Sequence, residues 1–68
     1  GWLHIQSIPT ARVFVDGHDT QLSTPLFLYK VSTGQHTIEL RTEDKNVRRA
    51  FRVNVEPMTH LRLNLDLR

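Results

Sequence analysis

Cysteine is absent from the 68 residues of this chain, which excludes both a disulfide framework and a thiolate zinc site. A domain this short buries only about 60% of the surface its unfolded chain exposes. Without a covalent or metal staple, hydrophobic packing must hold it together. The lack of cysteine does not fix the compartment, because many secreted β domains also lack disulfides. Long apolar runs are missing as well. None approaches the ~20 residues of a membrane span, and there is no signal-peptide pattern, so no membrane insertion by this domain is expected. Charge of one sign is scarce: nine basic against seven acidic side chains leave +2 with neutral histidine. That is a mixed surface rather than an electrostatic magnet for nucleic acid. No window shows the i, i+3, i+4, i+7 spacing of an amphipathic helix. The chain opens on Gly1 rather than methionine, so the expectation is one domain, residues 1–68, excised from a larger protein.

What is present is alternation. Apolar residues recur with period two, the mark of half-buried strands. Leu3 and Ile5 share a face, with Trp2, His4 and Gln6 opposite. Pro9 presets a turn, Val13 and Val15 form an inward pair, and Asp16-Gly17 is a strong hairpin signal. Residues 20–24 have room for a short edge strand, and Thr24-Pro25 restarts the pattern. Leu26 and Leu28 then alternate with Phe27 and Tyr29. Further on, His36, Ile38 and Leu40 share one face, and Glu43-Asp44-Lys45-Asn46 makes a charged hairpin tip. Val47, Phe51, Val53 and Val55 line the longest strand, with Arg49 at the same parity. Either a bulge shifts the register there or the arginine reaches round to solvent. Leu61, Leu63, Leu65 and Leu67 alternate without a fault. The fold class expected is all-β, a small antiparallel sandwich of about six to seven strands.

Residues able to carry chemistry are few and scattered. Of the histidines, His36 falls on the core side of its strand, His4 and His60 face outward, and His18 lies in a turn. Nothing in their spacing converges three or four ligands on one point, so no metal and no cofactor is expected. Ser7, Ser23 and Ser32 lie where turns want small polar residues, with no oriented base beside them. Asp16 and Asp19 lack the run of oxygen ligands of a calcium loop. The expectation is that the chain is not an enzyme. Arg41, Lys45, Arg48, Arg49 and Arg52 cluster in sequence, but Glu39, Glu43 and Asp44 are interleaved with them. Cross-strand ion pairs explain that pattern better than phosphate contacts, so no nucleic-acid partner is expected.

The spacing of several motifs resembles the PEGA domain family. Gly1, Leu3, Ile5, Ser7 and Pro9 match its opening Gly-apolar-x-apolar pattern and Ser-x-Pro turn. Pro9-Thr10-Ala11-Arg12 stands where the tetrapeptide naming the family lies, with Pro9 and Ala11 in register, threonine for glutamate and the glycine missing. Val13-Phe14-Val15-Asp16-Gly17, Thr24-Pro25-Leu26 and Gly34-Gln35-His36-Thr37-Ile38-Glu39-Leu40 match three further motifs in order. The resemblance implies a transthyretin-like (prealbumin-like) sandwich serving as an accessory repeat or tail in bacterial and archaeal proteins. Cell-surface proteins and some serine/threonine protein kinases are among them, which leans the location to the periplasmic or cell-surface side. The family carries no catalytic or ligand residues to transfer.

Parity places Trp2, Phe14, Phe27 and Tyr29 away from a core filled by Leu3, Ile5, Val13, Val15, Leu26 and Leu28. An aromatic outer face of that kind marks a contact surface. The competing expectation is that some of these rings fill the ends of the core. The function expected is non-catalytic: contact with other domains of the parent, with a protein partner, or with a second copy. Binding of a cell-wall polymer through Trp2, Phe14 and Tyr29 is the alternative.

Overall fold

The computed structural model describes residues 1–42 and 47–68. The charged tip expected at Glu43-Asp44-Lys45-Asn46 lies outside the described residues. The described residues form seven strands: β1 (Trp2–Ile8), β2 (Arg12–Val15), β3 (His18–Ser23), β4 (Leu26–Lys30), β5 (Gly34–Arg41), β6 (Arg48–Val55) and β7 (His60–Asp66). They form a three-stranded sheet ordered β4-β1-β7 and a four-stranded sheet ordered β3-β2-β5-β6. No helix occurs among the described residues. The result is the all-β sandwich that the alternation predicts. One pairing departs from the antiparallel expectation, since β1 and β7 run parallel from Trp2↔His60 to Ile8↔Asp66.

The two sheets bury one apolar layer between them. Leu3 and Ile5 come from β1, Val13 from β2, Ile38 and Leu40 from β5, and Val55 from β6; all are fully buried. Each such side chain contributes roughly 1.5–3 kcal/mol relative to exposure, which is how a domain without staples holds together. The β2–β3 hairpin turns on Asp16 (φ 51°) and Gly17 (φ 82°), the left-handed pair that a two-residue hairpin loop requires. Gly1 is tied by proximity instead, because a Cβ there would meet the Thr59 carbonyl oxygen at 2.9 Å.

Two local details decide which side chains face where. The first is a bulge in β4. Leu3 pairs with Tyr29 and Ile5 with Leu26, so Phe27 and Leu28 together oppose His4 alone. Leu28 takes up the extra residue at φ 56° and is exposed. Parity therefore reverses: Tyr29, expected outside, packs against the core, and Leu28, expected inside, does not. The second is Arg49. The β5–β6 register runs unbroken from Gly34↔Val55 to Arg41↔Arg48, so there is no bulge, and Arg49 stands exposed opposite Leu40.

A chain of hydroxyls locks one end of the sandwich, where β1 leaves and β4 begins. The Ala11 amide donates to Thr24 Oγ1 at 2.9 Å, and Thr24 and Ser7 hydroxyls meet at 2.6 Å. Ser7 Oγ donates in turn to the Pro9 carbonyl at 2.8 Å, which makes Thr24 the donor between the two hydroxyls. The Thr24 amide closes the loop on the Ala11 carbonyl at 2.8 Å. The Ser-x-Pro-x-Ala and Thr-Pro residues noted in the sequence are thus one hydrogen-bonded knot.

Candidate functional site

Two clusters stand out, one on each sheet. The first lies on the outer face of the three-stranded sheet. Its even-numbered β1 residues Trp2, His4 and Gln6 stand beside His60, Arg62 and Asn64 of β7, because the parallel register keeps like parity together. The Trp2 and His60 rings stack with centroids 4.9 Å apart and planes 18° from parallel. His60 lies 5.0 Å from His4, and Phe27 lies 6.2 Å from His4 on the other side. His4 Nε2 and His60 Nδ1 are 2.8 Å apart, a hydrogen bond that requires one of the two nitrogens to lack its proton. His4 faces outward as expected, yet it is buried there, because Phe27 and His60 cover it. Burial pushes its pKa below the usual 6.5, and the charges of Arg62 and His60 add to that.

Beside this row of rings lies a hollow of about 120 Å³ lined by His4, Gln6, Phe27, Arg62, Leu63 and Asn64. A larger hollow of about 450 Å³ shares Gln6 and Asn64 and runs to Ile8, Pro25 and Asp66. The face thus combines flat rings, amide groups and one guanidinium around shallow concavities. Phe27 is 54% exposed and Ile8 57%, so it also offers apolar surface.

Of the four aromatic residues singled out in the sequence, the structure brings together Trp2 and Phe27, which flank the histidine pair. Phe14 lies on the other sheet, with the Arg41 guanidinium 4.1 Å from its ring centroid. Tyr29 is turned inward by the β4 bulge. A single four-residue aromatic face is therefore not formed. Parity alone could not report that His4 and His60 would meet, since their strands' parallel pairing is long-range. Among the basic residues, Arg41 and Arg48 approach Glu39 Oε2 at 2.5 and 3.6 Å, and Arg12 holds Asp19 at 2.7 Å.

The second cluster joins Asp16, His36 and Ser32. His36 Nδ1 lies 2.5 Å from Asp16 Oδ2, and its Nε2 lies 2.7 Å from the Ser32 carbonyl oxygen and 3.3 Å from Ser32 Oγ. The residue types are those of an acyl-transfer triad, and the serine was expected to have no oriented base beside it. Their hydrogen bonding runs the other way. Nε2 faces a carbonyl, which only accepts, so it donates; Nδ1 donates to a carboxylate. The ring is a doubly donating imidazolium with no lone pair to take a proton from Ser32, unlike a triad histidine. The Asp16 hydrogen bond, then the Ser32 carbonyl, raise the His36 pKa above 6.5. The His36 bond and the Thr37 amide hold Asp16 below its usual 3.8. The cluster ties the β2–β3 turn to the β4–β5 connection.

Among the described residues no group of three or more His, Asp or Glu side chains is placed to hold a metal ion. The fold and its faces therefore define a small two-sheet β module with a ring-lined outer surface on its smaller sheet. The pattern that describes the PEGA domain matches residues 1–68, the whole chain, and the chain belongs to that family. No curated protein matches it, and no solved structure does.

Proposed function

We propose that this PEGA domain is a non-catalytic contact module of a larger bacterial protein, such as a serine/threonine kinase or a cell-surface protein. It docks through the outer face of the three-stranded sheet onto a neighbouring domain or protein partner. The observation that supports this is Phe27, a large apolar ring 54% exposed beside the Trp2–His60–His4 row. Leaving such a ring in water costs the burial it gains at a contact, and aromatics with arginine carry most of the energy at interfaces. Arg62 supplies that arginine at the rim of the hollow.

The test uses Phe27→Ser, because Phe27 does not fill the core. Retained folding with lost co-purification of the domain and the remainder of its parent protein is the expected result. Undiminished co-purification would overturn the proposal. The alternative, a cell-wall polymer, has one observation in its favour: a tryptophan ring on the same face as the Gln6 and Asn64 amides suits a sugar polymer. Trp2 is the single tryptophan, so its fluorescence on titration with cell-wall polysaccharide separates the two.

A further inference from the structure

A sheet edge is a template for another strand unless something blunts it. The two sheets end in β3, β4, β6 and β7. β3 is irregular against β2, with Gln21 at φ 63°, and β4 carries the bulge at Phe27 and Leu28. β6 bears Arg48, Arg49 and Arg52, and Arg49 shares the parity of the core-facing residues, which is a charge set to discourage pairing. β7 has no bulge and no inward charge; its two charges, Arg62 and Asp66, are of opposite sign and stand on the outer face. It is seven residues long, contains no proline, and keeps one register with β1 throughout. No described strand lies beyond it.

The phase of the β1–β7 ladder shows which backbone groups β7 offers. At one end the Trp2 amide donates to the Thr59 carbonyl at 3.0 Å, and at the other the Leu67 amide donates to the Ile8 carbonyl at 2.7 Å. In a parallel ladder this commits residues 59, 61, 63, 65 and 67 to β1. The N–H and C=O groups of His60, Arg62, Asn64 and Asp66 therefore point to the open edge. Leu61, Leu63 and Leu65 are only half-buried, because the inner face ends with them.

We propose that a second copy of this chain adds to that edge, β7 against β7 antiparallel, with the two-fold axis at Asn64. The strand is self-complementary in that register. Asn64 faces Asn64 of the second copy, Arg62 faces Asp66, and Asp66 faces Arg62. All of these residues carry outward backbone groups, as hydrogen-bonded antiparallel pairs require. Leu63 comes opposite Leu65 on the inner face, which continues the leucine row and covers its half-exposed flank. Opposite charges directly across a strand pair are favourable, so the register has two such pairs to select it, each one adding Arg62 of the second copy to an Asp66 carboxylate that Arg68 of its own chain already holds at 3.0 Å. The three-stranded sheets become one six-stranded sheet, and the two ring-lined faces lie side by side. The proposal shares with the preceding section only the premise that the domain works by contact. It uses the edge rather than the ring-lined face and shares with that face Arg62 but not Phe27, so Phe27→Ser leaves it untouched.

The experiment is the oligomeric state of the chain by analytical ultracentrifugation over a concentration series, with folding followed by circular dichroism. The wild type is expected to dimerise. Asn64→Pro removes an outward donor without touching the bonds to β1, so the fold is kept and the dimer lost. Leu63→Pro, which removes a donor to β1, unfolds the chain and confirms the phase. Arg62→Asp and Asp66→Arg each weaken the dimer, and the double variant restores it. A wild type that stays monomeric, a dimer indifferent to Asn64→Pro, or a double charge swap that restores nothing would each overturn the proposal.

Discussion

Replacing Thr24 with valine removes one oxygen from the knot between β1 and β4 and changes almost nothing else. Thr24 is 2% exposed, and valine fills the same volume, so no cavity forms. Two hydrogen bonds go: the one accepted from the Ala11 amide at 2.9 Å and the one donated to Ser7 at 2.6 Å. A net hydrogen bond contributes about 1 kcal/mol, and a buried donor left without an acceptor costs about 1–3 kcal/mol. The Ala11 amide becomes such a donor, because Ala11 is buried and a valine methyl takes the place of the oxygen. The added methyl returns up to about 0.8 kcal/mol. The expected destabilisation is about 2 kcal/mol, or on the order of 10 °C in Tm for a domain of this size.

Urea and thermal unfolding followed by circular dichroism measure it. The coupling with Ser7→Ala tests the relay itself. If the hydroxyls act as one chain, Thr24→Val and Ser7→Ala together cost less than the sum of each alone, by about 0.5 kcal/mol or more. A Thr24→Val variant within about 0.5 kcal/mol of the wild type would refute the reasoning, as would strict additivity.

The His36 cluster makes stability depend on pH with a stated sign. The folded pKa of His36 is raised, so its contribution is complete below 6.5 and is lost as pH rises through the folded value. Asp16 is depressed, so its contribution is present above 3.8 and lost as pH falls through the folded value. The Tm gap between wild type and His36→Leu is therefore widest between about pH 4 and 6 and narrows on both sides of that window. A gap that does not change with pH would contradict the imidazolium. His4 runs the other way, and an NMR titration should find it below 6.5 and His36 above. Tyr29→Ser is expected to cost about 2–3 kcal/mol and Phe27→Ser under about 1 kcal/mol, by thermal unfolding; equal losses would mean the β4 bulge is misplaced.

The alternation of the chain made the sandwich legible because a period of two is a local property. Leu3, Ile5, Val13, Val15, Ile38, Leu40 and Val55 could each be assigned to the core from neighbours two residues away, and each is there. The Asp16-Gly17 hairpin was legible for the same reason, since a turn's residues report its dihedral angles directly. Parity counting fails wherever one residue is added, and β4 shows how quietly that happens. A bulge is signalled in sequence when glycine or asparagine takes the left-handed position. Here leucine takes it, and nothing in Leu26-Phe27-Leu28-Tyr29 distinguishes the bulged strand from a regular one. Every side chain after Leu28 in that strand changes face, and with it the identity of the exposed aromatics.

The histidine pair was hidden for a different reason. His4 and His60 are separated by almost the whole chain, and their meeting depends on β1 and β7 being parallel neighbours. Antiparallel neighbours are joined by short turns, so adjacent strands in sequence suggest them; a parallel pair at opposite ends of a chain has no such local sign. Once the pairing is granted, the chemistry follows from parity alone: Trp2, His4 and Gln6 must share a face with His60, Arg62 and Asn64. The same parallel pairing leaves β7 at the open edge, with its even-numbered backbone groups turned outward. The ring-lined face and the free edge are thus two consequences of one long-range contact. Leu63→Pro, which breaks the ladder at its centre, is expected to lose the fold, the His4–His60 bond and the dimer together, whereas Asn64→Pro loses the dimer alone.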